Sequence, residues 1–409
     1  MRILLVSEDI PYPNMGGLAK HVLTLAAALV RAGHHVDLLG GDQHPIEVAG
    51  EEGQFGGRFF GELNGHLSGW KEISLGMYLP QKRTWLARRF ARTILRYAPH
   101  YEVIHYHGHV PNLASFLPEH VNFVQTRHDH GSECLTQTRF HDGQICNSTN
   151  PADCASCRTM NPNRLQRAVS AAAVIRFRQE VADGFHRHKT VFVSDMLRNH
   201  FSRVLGPGSW GTTVHHFVDT SRIRKAREFS QARPLDGQLR LFIAAKLYPE
   251  KGVEHFLREI APRLRSDMQI TIAGDGPDEA RLRAEFGDRQ IEFRGWCTPE
   301  TTLRLAASAD AIIVPSVWEE PFGSTTLEAL LLGKPTFALA RGATPEIAPY
   351  AASPGQLRLH ADMRMLVRDL LSFEPGASFT TPPDTLGSVD HAVKKLLRIY
   401  RSPPGRNPC

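Results

Sequence analysis

Ile3 to Val6 form an unbroken apolar run inside residues 2–7 (RILLVS), the pattern of a strand covered on both faces. A loop with Pro11 and Pro13 leads to Gly16-Gly17, then to a helix carrying Leu25, Ala28 and Leu29 that Gly33 stops ahead of a second strand at 36–40. Strand, glycine turn, helix, strand is a right-handed βαβ unit, and it commits the chain to a parallel, doubly wound sheet. Short apolar runs at 103–107, 123–126 and 191–194 extend that sheet.

One sheet does not use up the chain, because 409 residues exceed what a single core organises. Residues 220–238 (TSRIRKAREFSQARPLDGQ) are polar, charged and poor in strand formers, so they read as a boundary or an exposed segment before a new domain. A second βα series follows, with strands expected at 239–245, 269–273, 291–295, 311–314 and 335–340. Its helices fall near 253–264, 278–286, 299–308 and 324–332. The tail at 387–401 sets Val389, Val393, Leu396, Leu397 and Tyr400 at helical spacing. The expected domains are 1–219, 220–386 and a terminal helix and tail at 387–409.

Composition narrows the class of function. With 42% hydrophobic and 22% charged residues the chain is too apolar for disorder. The longest apolar run, 22–30, falls short of the roughly 20 residues a membrane span needs. Met1 leads into a strand rather than a signal peptide, so a cytoplasmic enzyme is expected. A net charge of +6 favours an anionic ligand, yet no nucleic-acid module is present and no nucleic-acid partner is expected. Eighteen of the 21 histidines precede Asp219, so the two halves carry different chemistry.

The stretch 314–328 (VPSVWEEPFGSTTLE) ends a strand, forms a Pro/Gly loop and opens a helix near Ser324. Ligands of open α/β sheets gather at that carboxyl edge. Glu320 and Glu328 would sit at two ends of an elongated ligand, with a phosphate between them over the helix N-terminus at Gly323, Ser324 and Thr325. Thr325-x-x-Glu328 also matches a capping box, which would make Glu328 a helix-stabilising residue. Upstream, Lys246 and Lys251 lie five residues apart after the 239–245 strand, placed to clamp a diphosphate; solvated surface lysines are the plain alternative. Gly274-Asp275-Gly276-Pro277 makes a tight turn after the next strand.

Order and spacing together resemble glycosyltransferase family 4, the retaining nucleotide-sugar transferases. The resemblance rests on Gly16-Gly17 with His21, KLYPEKG at 246–252, GDGP at 274–277, FRGW at 293–296, and Glu320-x7-Glu328 followed by Gly333-Lys-Pro. It implies the α/β GT-B fold: two Rossmann-like domains facing across a cleft, with the C-terminal helix crossing back to the N-terminal domain. It also implies glycosyl transfer from a nucleotide-diphosphate sugar to an unnamed small-molecule, natural-product or glycan acceptor. Carried over by residue, Glu328 would hold the ribose, Glu320 the transferred sugar, and Lys246 and Lys251 the diphosphate. Gly17, Gly274 and Phe322 would lie on the donor, and the backbone at Trp296 and Cys297 would read the base. His128 would face the reacting carbon, with Lys20, His21 and His107 on the acceptor side, whereas His105 reads as structural. Lys246 stands where arginine is commoner in the family, keeping charge but losing the bidentate fork. No Asp-x-Asp pair occurs in the sequence, and no cofactor is expected for the chemistry. An epimerase or a non-catalytic binding protein of the same fold is the alternative.

Two features stand apart. Cys134, Cys146, Cys154 and Cys157 form C-x11-C-x7-C-x2-C in a polar insert at 131–161. In a cytosolic protein the closing Cys-x2-Cys suggests structural zinc, with His130 and His141 as substitute ligands, ahead of disulfides and free thiols. Cys297 and Cys409 look unrelated to it. Residues 82–97 set Arg88, Arg92 and Arg96 opposite Leu86, Phe90, Ile94 and Tyr97. A solvated arginine face over a packed apolar one is favoured there over peripheral contact with an inner-membrane surface.

Overall fold

The computed structural model describes residues 1–12, 16–65, 72–159, 162–206, 210–230, 237–374, 379, 382–383 and 385–405. Pro13, positions 160–161 of the cysteine insert, 231–236 of the boundary segment and Cys409 lie outside them. The chain divides into two compact units. One is Met1–His141 and Cys146–Phe217 with Val389–Cys409; the other is Val218–Ser388 with Asp142–Ile145.

The first unit holds seven parallel strands: β1 (Arg2–Val6), β2 (His35–Gly41), β3 (Phe59–Leu63), β4 (Val103–His107), β5 (Phe123–Arg127), β6 (Lys189–Phe192) and β7 (Thr212–Thr213). Their order is β7-β6-β5-β4-β1-β2-β3. Strand alternation splits β1 between two cores. Ile3 and Leu5 face a cluster containing Val22, Leu25 and Leu29 of the Gly17–Arg31 helix with Val393, Leu396 and Tyr400 of the Val389–Arg401 helix. Leu4 and Val6 face Leu86, Phe90 and Ile94 of the Gln81–Tyr97 helix. The apolar side of that helix is thus spent on the core. Its arginines are not all solvated either: Arg83 is 2% exposed and holds Glu72 at 2.6 Å. No helix among the described residues is long and apolar enough to cross a membrane.

The second unit has six parallel strands: β8 (Leu239–Ala244), β9 (Met268–Ala273), β10 (Ile291–Gly295), β11 (Ala311–Val314), β12 (Thr336–Leu339) and β13 (Leu357–His360). They run in the order β10-β9-β8-β11-β12-β13. Leu241 and Ile243 join Phe256, Leu257 and Leu366 in its core.

The 220–238 segment, read as a boundary or an exposed stretch, begins with a packed helix. Residues Thr220–Ser230 form a helix that packs against the Pro299–Ser308 helix, with Ile223 and Ala226 buried. Arg227 donates to the Leu331 carbonyl. Ile223 and Ala226 lie one turn apart, a signal too small to stand out among mostly polar positions. Strands β3 and β13 were also not anticipated. Both lie at sheet edges, where an unbroken apolar run is not required.

Candidate functional site

In the second unit the strand order reverses between β8 and β11, and the loops leaving those two strands flank the crevice where such sheets bind ligands. The two loops are stitched together. Val317 N–H donates to the Glu250 carbonyl at 3.1 Å, and a Cβ on Gly252 would fall 2.1 Å from the Pro315 carbonyl oxygen. Gly252 also has φ +68°. We therefore expect Gly252→Ala to destabilise the second unit by about 2 kcal/mol or more, from left-handed strain plus the backbone clash. Urea unfolding checks this, and an unchanged midpoint would contradict it.

Across the junction Lys251 Nζ donates to Glu320 Oε1 at 2.7 Å, and Ser316 Oγ donates to the same oxygen at 2.7 Å. The Lys251 ammonium also lies 4.5 Å from the centroid of the Trp318 ring. Burial pushes the Glu320 carboxyl up, but Lys251, Ser316 and the Trp318 indole outweigh it and hold the group below its ordinary range. A third loop braces this corner. Ala343 N–H donates to the Glu320 carbonyl at 2.8 Å, and Gly342, at φ +55°, leaves no room for a Cβ against the Glu320 backbone. Gly342 was not foreseen, because its role depends on a contact between loops more than twenty residues apart in the chain.

Gly323, at φ 93°, is the N-cap of the Ser324–Leu331 helix and makes no side-chain cap bond. Thr325 is therefore inside the helix rather than at its cap, and the capping-box reading of Glu328 fails. Ser324, Thr325 and Glu328 are half-buried along the first two turns, whereas Phe322 is buried with its ring edge-on to Tyr350. Lys246 is exposed at the end of β8. A Cβ at Gly274 would fall 1.8 Å from the Ala245 carbonyl oxygen, so an internal contact already requires that glycine. Trp296 is exposed and Cys297 half-buried at the end of β10, two strands from β8.

The first unit has its own reversal between β1 and β4. Buried Glu8, after β1, accepts from Tyr106 Oη at 2.9 Å and from the His109 N–H at 2.7 Å. Burial raises its carboxyl pKa. His109 bridges Asp9 (3.0 Å) and Asp129 (2.7 Å). Burial opposes its charge, but the two carboxylates raise its pKa well above the ordinary value. Glu8, Asp9, His109 and Asp129 were missed, since nothing in their spacing joins them; only the sheet edge does.

Next to them four imidazoles meet. His107 Nδ1 lies 2.9 Å from His128 Nε2, and His128 Nδ1 lies 2.9 Å from His216 Nε2. His21, on the first helix, is stacked on Phe217 at 4.1 Å and touches the other three rings. Burial lowers the pKa of all four, His216 to about 4. A chain of neutral rings carries one proton per contact, so the tautomers are linked along it. His21, His107 and His128 were expected to meet a ligand; His216 was not expected at all. His105 is fully buried between Tyr400 Oη at 2.6 Å and Thr126 Oγ1 at 2.7 Å. Cys134, Cys146, Cys154 and Cys157 are unbridged and line one cavity, the thiol set that could hold a metal. Gly17 opens the first helix with no described residue within 4 Å of where its Cβ would be, and Lys20 is half-buried one turn on.

Comparison with known proteins sets these sites in a family. A family model described as Glycosyltransferase Family 4 matches residues 15–222, and one described as Glycosyl transferases group 1 matches 238–362. The chain is 27% identical over 360 residues to a glycogen synthase of Mycobacterium tuberculosis, covering 82% of this chain and 77% of that one. It is 29% identical over 164 residues (38% of this chain, 42% of the other) to a GDP-mannose-dependent phosphatidylinositol dimannoside mannosyltransferase of the same species. Among solved structures, Anabaena Alr3699/HepE in complex with UDP and glucose superposes with a TM-score of 0.63 at 15% identity, over 98% of this chain and 99% of the other. A sucrose-phosphate synthase from Thermosynechococcus elongatus gives 0.63 at 18% identity, over 98% of each chain. With both halves matched and two parallel-sheet Rossmann-like units in hand, the chain belongs to glycosyltransferase family 4 and has the GT-B fold.

Proposed function

We propose that this glycosyltransferase moves a sugar from a nucleotide-diphosphate donor to an acceptor nucleophile with retention at the anomeric carbon. The observation that carries the reading is the Lys251–Glu320 pair, pinned by three loops at the strand-order reversal of the second sheet. In this reading the diphosphate lies against Lys246, Lys251 and the N-terminus of the Ser324–Leu331 helix, where fixed positive charge stabilises the leaving group. Lys251 exchanges part of its contact with Glu320 for phosphate oxygen, freeing the carboxylate to accept from sugar hydroxyls. Glu328 takes the ribose hydroxyls, and Gly17, with no side chain, leaves its backbone accessible to a phosphate. Trp296 and Cys297 contact the base.

His128 lies against the donor sugar with Lys20, His21 and His107 on the acceptor side. A neutral His128 accepts or donates a hydrogen bond without adding charge to the reacting centre. The acceptor proton passes to the departing phosphate on the same face, and the rate comes from positioning and charge stabilisation.

A thermal-shift panel of UDP-, GDP-, ADP- and dTDP-sugars tests the donor reading. The cognate donor at 100 times its Kd should stabilise the chain by about 2.7 kcal/mol, and Glu328→Ala should abolish the shift. If no nucleotide-sugar moves the melting curve, the reading fails. Product release from the cognate donor, lost in Glu320→Gln, separates a transferase from a binding protein of the same fold.

A further inference from the structure

We propose that Cys134, Cys146, Cys154 and Cys157 hold one zinc ion as a tetrahedral four-thiolate site that orders the segment following His128 and Asp129. All four line a single cavity of about 30 Å³. That volume admits one water-sized occupant. The sulfurs come from three stretches of chain. Cys134 closes a turn in which its N–H donates to the His130 carbonyl at 2.8 Å. Cys146 is held by its N–H to the Arg139 carbonyl at 2.7 Å. Cys154 lies in the Pro151–Ser156 helix and Cys157 caps it, so the pair is i, i+3 on one face. The four thiols thus reach one cavity from three stretches of chain, and an ion bound there would draw them into a tetrahedron.

The surroundings suit an anionic metal centre. Four thiols binding one Zn²⁺ release four protons and leave a complex of charge −2. Arg178 Nη2 donates to Cys154 Sγ at 3.1 Å, and the buried Arg139 lines the same cavity. Arginines also supply much of the segment's anchorage. Arg178 donates to the Thr149 and Glu133 carbonyls at 2.6 and 3.2 Å, and Arg83 to the Leu135 carbonyl at 2.9 Å. Apolar packing contributes little. Among the described residues of 131–159, only Leu135 and Ala155 are buried hydrophobics. A segment with so small a core takes its order from another source, and a thiolate-bound ion supplies it.

Thiolate sulfur in this number selects zinc over hard cations. His130, which the sequence offered as a substitute ligand, is engaged elsewhere: its Nδ1 lies 2.9 Å from Glu133 Oε1. Glu133 in turn meets His200 Nδ1 at 3.5 Å and Arg139 at 3.5 Å. This buried group joins the cysteine turn to the strand end carrying His128 and Asp129. The ion would therefore fix the acceptor-side loop without touching substrate.

The test is metal analysis of the full chain purified without a metal column. We expect about one zinc per chain. It should fall to a small fraction in Cys154→Ser and Cys157→Ser and stay unchanged in Cys297→Ser. A mercurial titration of the wild type should release the zinc together with four protected thiols, a readout independent of whether the variants fold. Chelation should lower the melting temperature, and added zinc should restore it. A metal-free wild type overturns the proposal, whether its four thiols are free or paired in two disulfides on non-reducing mass analysis. An iron chromophore in place of zinc does the same. Full zinc content in both serine variants also overturns it, placing the ion elsewhere; the nitrogens of His21, His107 and His128, within 4.8 Å of one another, would then be the alternative.

Discussion

Replacing Lys251 by methionine is expected to lower glycosyl transfer by about 10²- to 10³-fold, the usual loss when one fixed group stabilising a developing anion is removed. Its partner Glu320 is 9% exposed and takes both Lys251 and Ser316 on one oxygen, so the substitution also strands a buried carboxylate. Glu320→Gln keeps the shape and should leave the fold closer to intact while losing activity to a similar degree. Because Lys251 and Glu320 act as one unit, the double variant should lose much less than the product of the two single losses. Breaking such a pair destabilises more than removing both charges, so the double variant should also unfold at higher urea than Lys251→Met alone. Initial rates with the cognate donor, alongside urea unfolding, check both. A Lys251→Met enzyme within twofold of the wild-type rate would remove the pair from the chemistry.

Acidification gives the second large effect, this time in the first unit. His21, His107 and His105 are buried and His128 and His216 half-buried, all with pKa values below the ordinary 6.5, His216 at about 4 and His105 at about 3. The unfolded chain binds protons at these sites near pH 6.5, while the folded chain resists them. Unfolding is therefore increasingly favoured as pH falls below about 6.5, and the loss stops only below the folded-state values. Each histidine contributes about 1.4 kcal/mol per pH unit across that window, or roughly 3 kcal/mol for His216 in full. His109 opposes this. Its pKa is raised, so its contribution is complete at acid pH and is lost as pH rises through the folded value. One histidine set against five cannot reverse the trend. Urea unfolding at pH 7.5, 6.5, 5.5 and 4.5 should show a steep fall, and His216→Asn should make it shallower. A flat profile down to pH 5 would mean that the rings are hydrated in solution.

Most of the second unit's strands and helices between 239 and 340 were legible because they are runs of one period bounded by Gly or Pro: 291–295 and 311–314 agree with β10 and β11 to the residue, whereas β13 and the Met363–Leu371 helix were not expected. The Glu320 and Lys251 loops were legible because they follow strands. What escaped was set by partners distant in the chain. Gly342 is required by the Glu320 backbone, and the Ala245 carbonyl leaves no room for a side chain at Gly274. Arg88, Arg92 and Arg96 form the exposed basic face that was expected, but Arg83, which that face did not include, is drawn into the interior by Glu72. The 220–230 helix hid behind its charged composition, since among its described side chains only Ile223 and Ala226 are buried.

Order along the chain determined the parallel sheets, because a strand followed by a glycine turn and a helix can return only by a right-handed crossover. It also determined which carboxylates and amines could reach a sheet edge. Only the tertiary structure decided which of them meet. Lys251 pairs with Glu320 while Lys246 stays in water, and His216 completes a ring cluster that three separate segments begin. Sequence fixes where each strand ends. The order of strands in the sheet fixes which ends are neighbours, and a hydrogen bond or an ion pair forms only between neighbours.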